Sequence, residues 1–182
     1  FDLIREIDRF VISRALELAA RGHSVNVNLS GRSAGDREMR DWIAKSVAGS
    51  RIRPSMLTFE ITETSAIASL TDAVALVDTL MALGCGVALD DFGTGFGSFT
   101  YIKHLAATEL KIDMEFVRTM SSSPVDQRIV SSIVSVAQTR GMRTIAEGVE
   151  DAETLELLRT YGVDGAQGFH IGRPAPAELI LG

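Results

Sequence analysis

The chain has 182 residues, 18 Lys and Arg against 24 Asp and Glu, a formal charge of −6, and 46% hydrophobic residues. This is ordinary globular composition, and the acid excess speaks against a surface for duplex nucleic acid, which needs net positive charge. Cys85 is the only cysteine, which rules out an intrachain disulfide and a cysteine-rich zinc site. The longest nearly apolar stretch, 73–89, is broken by Asp78, Gly84 and Gly86, so a membrane span is not expected. Acids and arginines alternate from Asp2 onward, unlike a secretory leader, and a reducing, cytoplasmic setting is expected.

The first segment carries Leu3, Ile7, Phe10, Val11, Ile12, Ala15, Leu18 and Ala19 at helical spacing, which predicts one broad apolar face. Gly22 stands where a left-handed cap would end that helix. The alternating run SVNVNLS (24–30) predicts a strand. Helix is then expected over 36–48, strand over 56–62, helix over 71–83 and strand over 86–89. A short helix at 98–104 leads to a strand at 109–112. Ser123 and Pro124 suit the cap and first turn of a helix reaching Arg140. Strand 143–146, helix 151–161 and strand 165–169 follow, and Pro174 and Pro176 introduce a last helix. Strands alternating with helices of ten or more residues indicate βαβ units and a parallel sheet. No linker divides the chain, so residues 1–182 read as a single domain.

Each expected strand closes on a polar residue: Asn28, Glu60, Asp90, Lys111, Glu147 and Gln167. Gly22, Gly84 and Gly141 each precede such a residue by six positions, and so does Pro54. In a parallel sheet all strand C-termini lie at one end, so these side chains should converge there. A closed β/α barrel makes that end a ring holding the active site. An open doubly wound sheet would place a ligand along a crevice at the same edge. The barrel is favoured, because all six strands end this way and not only those beside a switch point. A single acid at a strand end is most often a helix cap or a solvated loop residue. Glu60, Asp90, Asp91 and Glu147 brought together would repel, and such a cluster either raises its own pKa values or binds a hard cation such as Mg²⁺ or Mn²⁺. His23, His104 and His170 lack zinc-like spacing and read as surface or packing residues.

After Asp90 and Asp91 comes FGTGFGS (92–98). The dinucleotide fingerprint would need glycine where Ser98 stands, and no Gly-Lys-Ser/Thr ending of a P-loop is present. The loop reads either as a turn into a helix or as a mobile cover with glycine hinges. Lys111 reads either as a structural ion-pair partner or as a group that holds a nucleophilic water or phosphate oxygens.

The segments VNVNLS (25–30), FEITET (59–64), ALDDFGTGFGS (88–98), LKID (110–113), AEGVE (146–150) and QGFHIGRP (167–174) resemble, in this order, the EAL-domain family of cyclic di-GMP phosphodiesterases. The resemblance implies a TIM-type β/α barrel and hydrolysis of cyclic di-GMP to linear pGpG with two Mg²⁺ or Mn²⁺ ions. It implies Asn28, Glu60 and Asp90 as ligands of one metal, and Asp90, Asp91 and Glu147 as ligands of the other. Lys111, Glu147 and Gln167 become the catalytic residues, with Lys111 positioning the water and Glu147 helping to deprotonate it. Glu150 is a supporting carboxylate, and Glu63 anchors the loop that includes Phe92, Gly93, Thr94 and Gly95. Such a barrel has eight strands and about 250 residues. Six strands are therefore expected here, with the first two, the family's Glu-x-Leu-x-Arg motif and the rest of the last helix outside the chain. Met114 stands where arginine is common, and Phe99 and His104 also differ from common choices. Weak or no activity is expected of the isolated chain, which lacks one metal ligand. The alternative is a degenerate module that binds cyclic di-GMP or a protein partner without cleavage. A homodimer, fused GGDEF or sensory domains and a membrane anchor in missing domains are compatible with the resemblance.

Overall fold

A computed structural model of the chain describes residues 3–94 and 101–181. They form two compact units, residues 1–90 with 95–108, and residues 91–94 with 109–182.

The first unit opens with α1 (Leu3–Ala20), β1 (Val25–Leu29), α2 (Gly31–Ala34) and α3 (Arg37–Gly49). A 3₁₀ turn at Pro54–Met56 leads into β2 (Leu57–Thr62), followed by α4 (Glu63–Ala68), α5 (Leu70–Leu83) and β3 (Gly86–Phe92), whose last two residues belong to the second unit. The strands β1, β2 and β3 are parallel neighbours, with Asn28 opposite Glu60 and Glu60 opposite Ala88. Residues opposite each other in a ladder share a face, and alternate residues switch faces. One face therefore holds Val27, Leu29, Phe59, Ile61, Val87 and Leu89, all buried. The other holds Asn26, Asn28, Glu60, Ala88 and Asp90. The buried face is what makes β-branched and aromatic residues alternate with polar ones along VNVNL and LTFEIT.

The second unit contains β4 (Glu109–Ile112), α6 (Met114–Thr119), α7 (Pro124–Arg140), β5 (Arg143–Ala146), α8 (Ala152–Thr160), β6 (Gly165–Ala166) and α9 (Ala177–Leu181). The strands β4, β5 and β6 are parallel neighbours, with Lys111 opposite Ile145 and Ala146 opposite Ala166. Backbone bonds carry the ladder one residue further: Glu147 N donates to Ile112 O at 3.1 Å, and Gln167 N to Ala146 O at 2.8 Å. The helix α7 turns Val130, Ile133, Val134 and Ala137 inward at i, i+3, i+4 and i+7. Its cap is Ser123, whose side chain accepts from Asp126 N, and Pro124 occupies the first turn, as the sequence predicts.

Four expectations need amendment. The α1 stripe that is buried is Asp8, Ile12, Ala15 and Ala19, narrower than the broad face read from the sequence, and Leu3, Ile7, Phe10 and Val11 are exposed. The strand expected over 86–89 continues to Phe92. The strand expected over 165–169 stops at Ala166, because Gln167 O and His170 N are taken by Val149 N and O. The short helices α2, α4 and α6 escape a periodicity search, since each is too short to show a period. Each nevertheless begins at a side-chain cap, namely Ser30, Thr62 and Asp113. The expected helix at 98–104 lies partly outside the described residues. No described helix is long and apolar enough to cross a membrane.

Candidate active site

In the first unit, Asn28, Glu60 and Asp90 stand on one face at the C-terminal ends of β1, β2 and β3. Glu60 and Asp90 are buried. Asn26 donates to Glu60: its Nδ2 reaches Glu60 Oε1 at 2.7 Å. Asn26 lies two residues before Asn28 and so on the same face. The sequence reading passed over it, although the repeated Val-Asn of VNVN was the available signal. A buried carboxylate held by an amide N–H keeps a fixed orientation for its remaining lone pairs.

The end of β1 is fixed from behind. Asp8, an acid buried among apolar residues of α1, accepts from Ser30 Oγ at 2.6 Å and from Ser30 N at 3.3 Å. Ser30 Oγ in turn accepts from Ser33 N at the start of α2. This explains why an aspartate occupies the inward stripe of an otherwise apolar helix: a buried acid is tolerated when hydrogen-bonded. Glu63 opens α4 and is buried. Tyr101 is buried beside it, and its phenol is pushed well above the ordinary range, first by burial and then by the negative charge of Glu63.

In the second unit, Lys111, Glu147 and Gln167 share one face, since Lys111 lies opposite Ile145 and Ile145 opposite Gly165. Lys111 Nζ is 2.8 Å from Glu147 Oε1, and the lysine side chain is only 4% exposed. Gln167 Nε2 donates to the same oxygen at 2.5 Å. Asp91 and Glu147 bring a carboxylate oxygen each within 4.8 Å of one another. Two acids this close, beside a buried ammonium, form a site of alternating charge that can admit a cation. Asp91 arrives there by an unusual backbone: its φ is +55°. In a regular strand it would face away from Asp90, and the left-handed turn re-aims it.

The loop residues differ among themselves. Phe92 is fully buried. Gly93 has φ +108°, and a Cβ there would lie 2.9 Å from the Phe116 ring, so only glycine fits. Thr94 Oγ1 donates to Asp91 O at 3.0 Å. Gly95 lies outside the described residues. Glu150 is half-exposed and paired with Arg118, Nη2 to Oε1 2.7 Å.

A family model described as EAL domain matches residues 1–174. Cyclic di-GMP phosphodiesterase PdeB of Shewanella oneidensis is 40% identical over 182 residues, 97% of this chain and 21% of that protein. Cyclic di-GMP phosphodiesterase PdeF of Escherichia coli is 35% identical over 97% of this chain and 24% of its own length. Among solved structures, the MucR phosphodiesterase in complex with c-di-GMP superposes with TM-score 0.84 at 34% identity, over 98% of this chain and 77% of that one. The FimX EAL domain of Pseudomonas aeruginosa bound to c-di-GMP gives TM-score 0.89 at 29% identity, over 95% and 72%. The chain belongs to the EAL domain family. Its six parallel strands and their helices are those of a TIM-type β/α barrel, and the chain spans less than a quarter of the length of PdeB.

Proposed function

We propose that this chain is the catalytic part of a cyclic di-GMP phosphodiesterase that opens the cyclic dinucleotide to linear pGpG. The observation that carries the reading is the buried Lys111–Glu147 pair, joined by Gln167 at its exposed edge, with Asp91 beside it. The naming of PdeB and PdeF as cyclic di-GMP phosphodiesterases supports the substrate class.

The donor set, carboxylates with one amide oxygen, suits a hard divalent ion such as Mg²⁺ or Mn²⁺. Asn28, Glu60 and Asp90 would hold one ion, and Asp90, Asp91 and Glu147 a second. Bound in a pair, such ions neutralise a phosphodiester and make water a better nucleophile. The protein's own groups do the rest. Lys111, fixed by its ion pair with Glu147, would position the attacking water or stabilise a phosphate oxygen. Glu147 accepts the water's proton. Lys111 and Gln167, both bonded to Oε1, fix the orientation of the Glu147 carboxylate. Glu63, buried at the start of α4 with Tyr101 beside it, is read as the anchor of the loop after Asp91. Asn26 and Asp8 hold the β1–β2 side of the site in register.

Chromatographic detection of pGpG tests this on the full-length protein supplied with Mg²⁺ or Mn²⁺. Cleavage is expected, with a fall of at least about a hundredfold in Asp90→Asn, the scale of losing a preorganised charge-stabilising group. Uncleaved c-di-GMP, with wild type and Asp90→Asn alike, would sink the enzyme reading. Binding without cleavage would favour the sensor alternative. The likeness to MucR of Pseudomonas aeruginosa, a bifunctional diguanylate cyclase/cyclic di-GMP phosphodiesterase 37% identical over 88% of this chain, supports a fused cyclase domain as the partner in the longer protein. Residues 1–174, the stretch that the EAL model spans, would then act as one EAL unit.

A further inference from the structure

Gly93 and Gly148 stand in a similar relation to the two acids of the second unit. Gly93 follows Asp91 by two residues, and Gly148 follows Glu147 directly. Both glycines have positive φ, +108° and +69°. Both lay a bare Cα against the start of α6. A Cβ on Gly93 would lie 2.9 Å from Phe116 Cε2 and 3.4 Å from Ile133 Cδ1 of α7. A Cβ on Gly148 would lie 2.6 Å from Met114 Cβ. The first turn of α6 therefore touches both the segment that carries Asp91 and the segment that carries Glu147.

That turn is anchored at both ends. It starts straight after β4, whose Lys111 pairs with Glu147 at 2.8 Å. Asp113 Oδ1 accepts from Glu115 N at 2.7 Å, and Asp113 O from Phe116 N at 3.2 Å. Val117 and Met120, further along, are fully buried. Asp91 needs such a support. Its φ of +55° is a strained conformation for a residue with a side chain. Relaxation to an extended strand would turn its carboxylate to the other face, away from Glu147. The two carboxylates repel each other, and their repulsion favours that relaxation. Thr94 Oγ1 donates to Asp91 O at 3.0 Å, but the bond is exposed and water competes for both of its groups. The Phe116 ring and Ile133 give the turn a wall of carbon to back onto.

We propose that Phe116, backed by Ile133, is a positioning residue for metal binding: it holds the Asp91–Gly93 turn against relaxation and so fixes the Asp91 carboxylate opposite Glu147. The inference rests on the reading of Asp91 and Glu147 as ligands of a divalent ion. Its consequence is a choice between ions. Mg²⁺ demands near-ideal octahedral geometry at about 2.0–2.1 Å, whereas Ca²⁺ accepts about six to eight oxygens at about 2.3–2.6 Å in looser arrangements. A turn held by a stiff aromatic wall favours the exacting ion. A turn free to shift loses that ion and keeps the tolerant one.

Isothermal titration of Mg²⁺ and of Ca²⁺ into the full-length protein tests this, since it reads binding and not turnover. Phe116→Leu is expected to lose about tenfold in Mg²⁺ affinity, the lower end of what removing a group that orients a metal ligand costs. Ca²⁺ affinity falls less, so the ratio of Mg²⁺ to Ca²⁺ affinity drops. Phe116→Tyr keeps the ring and is expected to keep the wild-type ratio. Ile133→Val removes Cδ1, the atom that faces Gly93, and lowers the ratio by a smaller factor; it carries the test should Phe116→Leu not fold. A merely structural role for Phe116 weakens both ions alike. That result overturns the proposal, as does a ratio unmoved in Phe116→Leu and Ile133→Val, or Phe116→Tyr behaving like Phe116→Leu. Each of these leaves the phosphodiesterase reading standing. Wild-type protein that binds neither ion overturns the metal reading as well.

Discussion

Asp90 and Asp91 are neighbours in the chain, and in a regular strand they would serve opposite faces. The φ of +55° at Asp91 breaks the alternation and carries its carboxylate to Glu147. An aspartate tolerates this region better than most residues, at a cost of about 1–2 kcal/mol. Cys85 shows the opposite case, a group made inert by its place. Burial raises its thiol from 9.0 to about 11. A raised acid is held protonated in the folded protein, so the folded state binds the proton more tightly. The stabilisation is complete below pH 9 and is lost as pH rises through 11. Urea denaturation of wild type and Cys85→Ala over pH 8–11 should show it: the wild-type stability falls more steeply across that window. Parallel pH profiles for the two proteins would contradict the thiol's role.

At the scale of elements, the helix ends carry the clearest instructions. Gly84 and Gly141 close α5 and α7 in the left-handed conformation, each donating its N–H back into the last turn. At Gly141 no atom lies within 4 Å of where a Cβ would stand. Gly141→Ala therefore isolates the backbone cost, expected at about 1–2 kcal/mol. Gly141→Asn should cost less, since asparagine visits that region more readily. Chemical denaturation of the pair checks the order, and equal costs would point to a steric clash instead. Such elements were legible in the sequence because their signals are local. A cap, a proline and an apolar period lie within a few residues of each other. The burial of α1 was not. Its apolar side chains cover more than one face, and only packing selects Asp8, Ile12, Ala15 and Ala19. The ending of β6 was not legible either, since it depends on bonds to Val149.

For the molecule as a whole, the strand-end acids imply a stability linked to divalent ions. Anything that binds the folded state alone raises its apparent stability by mass action. Thermal denaturation should show a higher Tm with Mg²⁺ or Mn²⁺ than with EDTA, by the equivalent of about 2.7 kcal/mol at a hundredfold excess over Kd. Asp91→Gly should relieve the backbone strain, keep the EDTA Tm at or above the wild-type value, and lose most of the metal-induced rise. A rise of wild-type size in that variant would remove Asp91 from the metal site. Positions such as Glu60, Asp90, Lys111, Glu147 and Gln167 could be named from the sequence alone, because strand direction fixes which residues end a parallel strand. The same pattern pointed to the parallel β/α architecture. What only the tertiary structure decided was the pairing. Asn26 holds Glu60, Asp8 holds Ser30, and Lys111 and Gln167 share one oxygen of Glu147. These partners lie 20 to 36 residues apart in the chain. Periodicity sets the face on which a side chain stands, whereas hydrogen bonds depend on distances between strands, which arise only when the register and the packing of the helices are fixed.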